Sequence, residues 1–457
     1  YAGDRASKEG DLKKALKYYN LAIARQPLSS LYLKKTRIHK YFFEWDEAIA
    51  NYEIFLEQAR LSKERRKVAQ QELSNLKFAE EKYVEFQLEG SQVAIEKLVF
   101  SDDKMEYFPC ITGDGESLMF TARDLDAMAT DENMWVGERT GNGWSSKAAP
   151  MKGYINSRGN EGAATISADG TLMIFTACDR PDGKGSCDLY QSTYVPGRGW
   201  DRPQPLLGKV NTRDWESQPS LGPDGRTLFF VRGKHSQSTN LDIYTASLTE
   251  EGEWTNVAPL PSPVNTGKRE SSPFIHFDGK TLYFTSERTP SIGGSDFFMT
   301  RRSGDTAWTT PENLGFPLNG FSDEFSFIVD HTGMKGYFAS NRSKWNAPNS
   351  SFTDGLDLYS FELPQRIRPE VTAFVNGVVL NSTNQQKLSG AKISVYDLED
   401  GRVLFEGFSA AHSGLFRPML TPGKVYGFTG EKSGFLPFSE RIELTDDATR
   451  IVEIAMR

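Results

Sequence analysis

Apolar and polar positions alternate through most of this chain with the short period of strands, but the first 85 residues carry a helical period instead. There Ala15, Tyr19 and Ala22 recur at spacings of four and three, and Ala48, Tyr52 and Phe55 repeat the arrangement 33 residues on. Such spacing predicts paired helices whose small residues allow close approach and whose rings fill the gap between hairpins. The second copy puts Phe43 where the turn would take Gly. Residues 62–84 predict a further, heavily charged helix.

From residue 93 the strand pattern is itself periodic. An Asp-Gly turn recurs at Asp114, Asp169, Asp224 and Asp278, with Thr332 in the fifth place, at intervals of 55, 55, 54 and 54. Eight residues before each turn stands Glu106, Glu161, Glu216, Glu270 or Glu324. Five residues before those come Ser101, Asn156, Asn211, Asn265 and Asn319. Trp144, Trp200, Trp254 and Trp308 follow the first four turns by about 30 residues. Two aromatic strands around an Asp-Gly turn predict a hairpin. A third strand (Asp242-Ile243-Tyr244 in one copy) and the Trp segment complete four strands, the content of one propeller blade. The fifth unit leaves at Phe361–Pro364 without its Trp segment, so the strand at 93–101 is expected to close the ring and make five blades.

The unit from Glu270 to Phe298 resembles the PD40 (WD40-like, TolB-type) repeat, a likeness that covers about residues 93–363. The leading segment resembles tetratricopeptide repeats. After Pro369, the stretches Phe374–Val379, Gly390–Tyr396 and Pro422–Tyr426 resemble the carboxypeptidase-regulatory-like domain, a transthyretin-like (Ig-like) sandwich. The expected fold is multidomain: an α-helical TPR segment (1–85), an all-β five-bladed propeller (86–364) and an all-β sandwich (370–457). This order resembles the PorE-like family of Bacteroidota periplasmic lipoproteins, accessory to the type IX secretion system. The resemblance implies a non-enzymatic scaffold linking outer-membrane secretion machinery to the cell wall, with outer-membrane or periplasmic secretion proteins as partners. It also implies a periplasmic place, a lipidated N-terminus at the inner face of the outer membrane, and peptidoglycan contact through an OmpA-like domain; neither anchor nor domain is in this sequence. The rival readings are a propeller-channel ligand sensor or enzyme, and a TolB-like envelope hub outside secretion.

Composition narrows the chemistry. A length of 457 residues suggests about three domains. The net charge of −8 divides into +3 over residues 1–90 and −11 beyond them. An acidic propeller lacks the basic track that nucleic acid requires, so no nucleic-acid partner is expected. No run approaches the roughly 18 apolar residues of a membrane-crossing helix. There is no Gly-x-Ser-x-Gly elbow, no phosphate-cradling Gly-Lys-Ser/Thr loop and no His-Glu-x-x-His, and His39, His235, His276, His331 and His412 do not cluster with Cys. No catalytic, cofactor-binding or metal-ligating residue, and no cofactor, is therefore expected. The five recurrent Glu are read as structural carboxylates, paired with an Arg after the second strand (Arg123, Arg232, Arg288, Arg342). Cys110 is expected in the core. Cys178 and Cys187 flank a loop between adjacent strands and are expected to form a disulfide, which points to an oxidising compartment.

Overall fold

The computed structural model describes every residue except 1, 91–92, 102–103, 125–130, 142, 196, 305, 322, 343–354, 411–412 and 445–450. His412 thus lies outside the described residues. Five helices open the chain: α1 (Ala2–Lys8), α2 (Leu12–Arg25), α3 (Ser29–Tyr41), α4 (Trp45–Gln58) and α5 (Lys63–Glu89). Asp11 caps α2 by accepting the Lys14 N–H at 3.0 Å, and Ser62 does the same for α5 from Arg65. Ala15 and Ala48 are fully buried, with Tyr19 and Tyr52 packed beside them. Helix α5 continues past residue 85, where the helical segment was expected to end.

Phe43 occupies the turn before α4 at φ 57°, a left-handed conformation that glycine adopts more readily. Holding a bulky residue there costs about 1–3 kcal/mol. The ring compensates by packing. It stacks on Tyr83 at 4.9 Å and meets Phe321 at 5.3 Å and Phe316 at 5.9 Å, in an aromatic cluster that joins the helices to the sheets.

The largest part of the chain is mostly β and of propeller type. Four antiparallel sheets begin with Met105–Ile111, Glu161–Ile166, Trp215–Leu221 and Glu270–Ile275, and each continues in chain order. A further sheet runs from Glu324–Val329 through Lys335–Ser340 and Asp357–Glu362, and its outer strand is Ile95–Lys97, far back in the sequence. The first strand of each sheet contacts the first strand of the next, and that of the last contacts that of the first. The conserved spacing of Asn is explained by this arrangement. Asn156, Asn211, Asn265 and Asn319 each accept an N–H and donate to the C=O of one residue in the preceding sheet (Met134, Leu189, Ile243 and Phe297). Ser101 serves the same place with Leu358, accepting its N–H at 3.2 Å.

Every first strand carries a bulge, at a non-glycine residue with positive φ: Phe108, Ala163, Gln218, Ser272 and Ser326. The bulge bends the inner strand and turns its N–H sideways. Thr121 accepts that of Ala163 at 2.9 Å, Thr176 that of Gln218 at 3.2 Å, Gln218 that of Ser272 at 2.7 Å and Ser326 that of Phe108 at 3.0 Å. Side chains of one sheet thus satisfy the backbone of the next.

The C-terminal part is a sandwich. Lys392–Asp397 is flanked by Val403–Phe408 and Val425–Glu431, and Phe438–Glu443 lies at the edge. Asn376–Asn381 pairs parallel with Ile451–Met456. Val379, Val395, Phe428 and Ile454 fill the space between the layers. The sandwich rests on the Asp-Gly turns: a Cβ on Gly113 would lie 2.7 Å from the Phe374 ring, and Thr372 donates to the His331 carbonyl at 2.7 Å.

Candidate functional site: the mouth of the central channel

Between the five first strands the channel is nearly filled, leaving about 50 Å³ along the stretch that includes Pro109, Pro219 and Pro273. Towards the starts of the same strands it widens to a mouth of about 500 Å³. The bulges supply its floor, through Phe108, Gln218 and Ser272, and the ends of the second strands and the segments after them supply its wall, through Arg123, Asp179 and His235. Loops presented at one end of a rigid sheet assembly are where binding groups concentrate.

Several side chains here are fixed in place. Tyr107 donates its hydroxyl to Glu132 at 2.5 Å, and the Glu132 N–H is held by Asn160 at 2.9 Å. Burial first, then the neighbouring Glu132, raises the Tyr107 pKa well above its ordinary value, so the phenol stays a donor. Thr176 and Ser217 join hydroxyls at 3.0 Å. Trp215 and Tyr107 add aromatic surface. Two donors are left for a guest. Ser272 is 5% exposed, and its Oγ has no hydrogen-bond partner among the described residues. Arg123 reaches only the Met105 Sδ, at 3.4 Å, among those residues.

A disulfide links Cys178 and Cys187, which lie opposite each other on paired strands at the rim. The loop between them is tied down by Asp188, which accepts the N–H groups of Lys184 and Gly185 at 2.8 and 3.0 Å. Gly185 passes so close to the next sheet that a Cβ would meet the Asp214 carbonyl. Cys110 is free and buried, and burial pushes its thiol up to about 12.

The recurrent carboxylates lie elsewhere. Glu106, Glu161, Glu216, Glu270 and Glu324 are all buried at the sheet corners, and none lines the mouth. Glu161 takes Arg180 at 2.9 Å, an Arg that the spacing argument passed over, and Glu216 takes Arg232 at 2.9 Å. Glu270 and Glu324 face Arg288 and Arg342 at 3.6 and 3.5 Å. The expected Arg123–Glu106 pair is corrected by register. Arg232 stands directly opposite Glu216, whereas Arg123 stands opposite Met105, one residue off and so on the other face of the sheet. Glu106 is held by the Ser101 hydroxyl, and Arg123 is turned to the mouth.

Sequence reasoning did not find the mouth, yet a signal was present. Pro109, Pro219 and Pro273 each stand three residues after the Glu of their unit. Proline inside a strand is confined to edges and bulges. Three such prolines in register mark the bulged inner strands, and the residue before each one lines the mouth.

No family model matches the sequence, and no curated protein matches it. Among solved structures it is similar to the catalytic domain of a GH62 α-L-arabinofuranosidase from Coprinopsis cinerea, with 10% identity over 59% of this chain and 96% of that one and a TM-score of 0.43. An α-L-arabinofuranosidase from Lactobacillus brevis shows 12% identity over 59% and 94%, with a TM-score of 0.40. The arabinanase Arb43A of Bacillus subtilis shows 10% over 59% and 97%, with a TM-score of 0.38. At these identities the likeness is one of fold. It nevertheless corrects two expectations, that the chain is not an enzyme and that it works as a non-enzymatic link between secretion machinery and cell wall. These solved structures bear the names of glycoside hydrolases, so neither expectation is kept.

Proposed function

We propose that this chain is a ligand-binding propeller whose channel mouth holds a small polyhydroxylated, sugar-like molecule, the step common to a sensor and an enzyme. The observation that carries the reading is the unused donor capacity of the mouth among the described residues: the buried Ser272 Oγ, and Arg123 with only a thioether. A buried donor left without a partner costs about 1–3 kcal/mol, and a ligand that brings oxygens removes that cost. The rings of Tyr107 and Trp215 suit the apolar face of a sugar, and the fixed Tyr107–Glu132 pair offers an acceptor beside it.

In this reading the five sheets are the five blades of one propeller over residues 86–364, closed by Ile95–Lys97. The leading helices are tetratricopeptide pairs over 1–85, and residues 370–457 form the regulatory-like sandwich. The repeat intervals of 54 and 55 residues support the blade count. The Cys178–Cys187 disulfide supports an oxidising compartment such as the periplasm.

The test is calorimetric titration of the full chain with a panel of arabino-, xylo- and gluco-oligosaccharides. Saturable binding is expected, weakened about tenfold or more in Arg123→Ala at unchanged melting temperature. Absence of binding across the panel, or equal affinity in Arg123→Ala, would overturn the proposal.

A further inference from the structure

Arg123 differs from the other charged groups of the mouth. It ends its strand opposite Met105, half-buried, and among the described residues it donates only to the Met105 Sδ, at 3.4 Å. A thioether is a weak acceptor, and no described residue forms an ion pair with this guanidinium. Of the lining carboxylates, Glu132 accepts the Tyr107 hydroxyl at 2.5 Å, and Asp179 is exposed. Arg269, also in the lining, is already turned to the Ser238 carbonyl at 3.5 Å and to Glu287 at 3.9 Å.

This arrangement tells against a neutral guest. A ligand that fills the mouth displaces water from around Arg123, and a guanidinium stripped of water needs a counter-charge. The hydroxyls of a neutral sugar bring acceptors but no charge. A carboxylate brings both, since its two oxygens match the two parallel N–H groups of the guanidinium fork. Arginine holds its charge at every physiological pH, so the demand does not lapse. The rest of the mouth suits the body of the same molecule. The buried Ser272 Oγ, without a partner among the described residues, can donate to a sugar oxygen, and about 500 Å³ lies within the range of small-molecule sites.

We propose that the mouth is selective for acidic sugars, uronates whose carboxylate pairs with Arg123 while their hydroxyls meet Ser272 and the polar lining around it. The inference rests on the sugar-binding reading above and names the class of sugar within it. Arg123 is then the residue that determines specificity: its charge sets the preference for the acid, and the neutral donors and rings of the mouth set the affinity that acidic and neutral sugars share.

The experiment titrates the full chain with oligomers of galacturonate and glucuronate, with the methyl esters of both, and with galacto- and gluco-oligosaccharides of equal length, at low and at high salt. One of the free acids is expected to bind about tenfold or more tightly than its ester and its neutral counterpart, an advantage that shrinks as salt rises. Arg123→Gln keeps a donor but not the charge, and should bring the acid down to the affinity of the neutral forms, whereas Arg269→Gln should leave the preference intact. If Arg123→Gln loosens the fold, acid and ester compared on the native chain decide. Equal affinity of acids and esters in the native chain, a preference that survives in Arg123→Gln, or its loss in Arg269→Gln instead would overturn the proposal and leave the sugar-binding reading standing. Absence of binding by acids, esters and neutral sugars alike would remove that reading, and this proposal with it.

Discussion

Glu270 and Glu324 stand at the first position of neighbouring inner strands, both fully buried, yet their surroundings differ. Glu270 accepts the N–H and the hydroxyl of Thr266 at 3.0 and 2.7 Å and the Ser286 hydroxyl at 2.8 Å, with Arg288 at 3.6 Å. Glu324 has Gly320 where Glu270 has Thr266. Neither of its oxygens has a hydrogen-bond partner among the described residues, and Arg342 lies 3.5 Å away. Arg342 itself donates to the carbonyls of Pro317 and Leu318 at 3.2 and 2.8 Å. Burial raises the Glu324 pKa well above the usual carboxylate range, Asp296 and Asp323 push it the same way, and Arg342 opposes them. Repeating a residue copies its position. Its charge state follows the partners that it finds there.

The largest effect expected from this contrast is on stability. Glu270→Gln breaks a buried ion pair and leaves Arg288 in the corner without its counter-charge, which should cost about 3 kcal/mol. Glu324→Gln replaces a carboxyl that the fold already favours in its neutral form, and should cost less than about 1 kcal/mol near pH 5. Urea denaturation of the two variants at that pH measures the difference. Equal costs would break the comparison.

A smaller effect should appear in the pH dependence. The Glu324 pKa is raised on folding, so between its unfolded value of 4.5 and its higher folded value the native state holds a proton that the unfolded chain has released. Stability from this group is therefore complete below about pH 4.5 and falls as pH rises through the folded pKa. Glu324→Gln removes the titration, so its melting temperature should fall less than that of the native chain from pH 5 to 8. Parallel curves would show that Glu324 does not carry the slope.

Much of the fold was legible because it is written in repeated local chemistry. The Asp-Gly turns predict hairpins, and the structure places Asp278 and Gly279 between Glu270–Ile275 and Thr281–Ser286. Asn recurs because a bidentate amide can pair with one residue of the neighbouring sheet, which spacing reveals but chemistry explains. The mouth was less legible, since it is made where the repeats differ. Arg123 is freed by a one-residue change of register, and a bulge is marked in the sequence only by an out-of-place proline. The cavity where the sandwich meets the turns of the third and fourth sheets brings together residues 100 positions apart, Arg302 and Arg402, across two modules, and no local pattern joins them. Phe43 shows the reverse case. A departure from the helical-repeat pattern was visible as a misfit, and its reason, docking against Phe316 and Phe321, lies outside the repeat.

The smallest expected effect is also the most direct test of what separates the two corners. If the difference is the missing hydroxyl, Gly320→Ser should restore it, because Ser157 already fills this place for Glu161, donating its hydroxyl at 2.5 Å and its N–H at 2.9 Å. One added hydrogen bond to a buried acceptor contributes about 1 kcal/mol. A Cβ alone also stabilises, by limiting the unfolded chain, so Gly320→Ala serves as the control. The hydroxyl favours the charged carboxylate, so it should lower the Glu324 pKa and flatten the fall in stability between pH 5 and 8. Gly320→Ala should leave that slope as it is. Melting curves of both variants across this range separate the two contributions: a flatter slope in Gly320→Ser alone identifies the hydroxyl, while equal slopes would place the difference in the acidic neighbours Asp296 and Asp323.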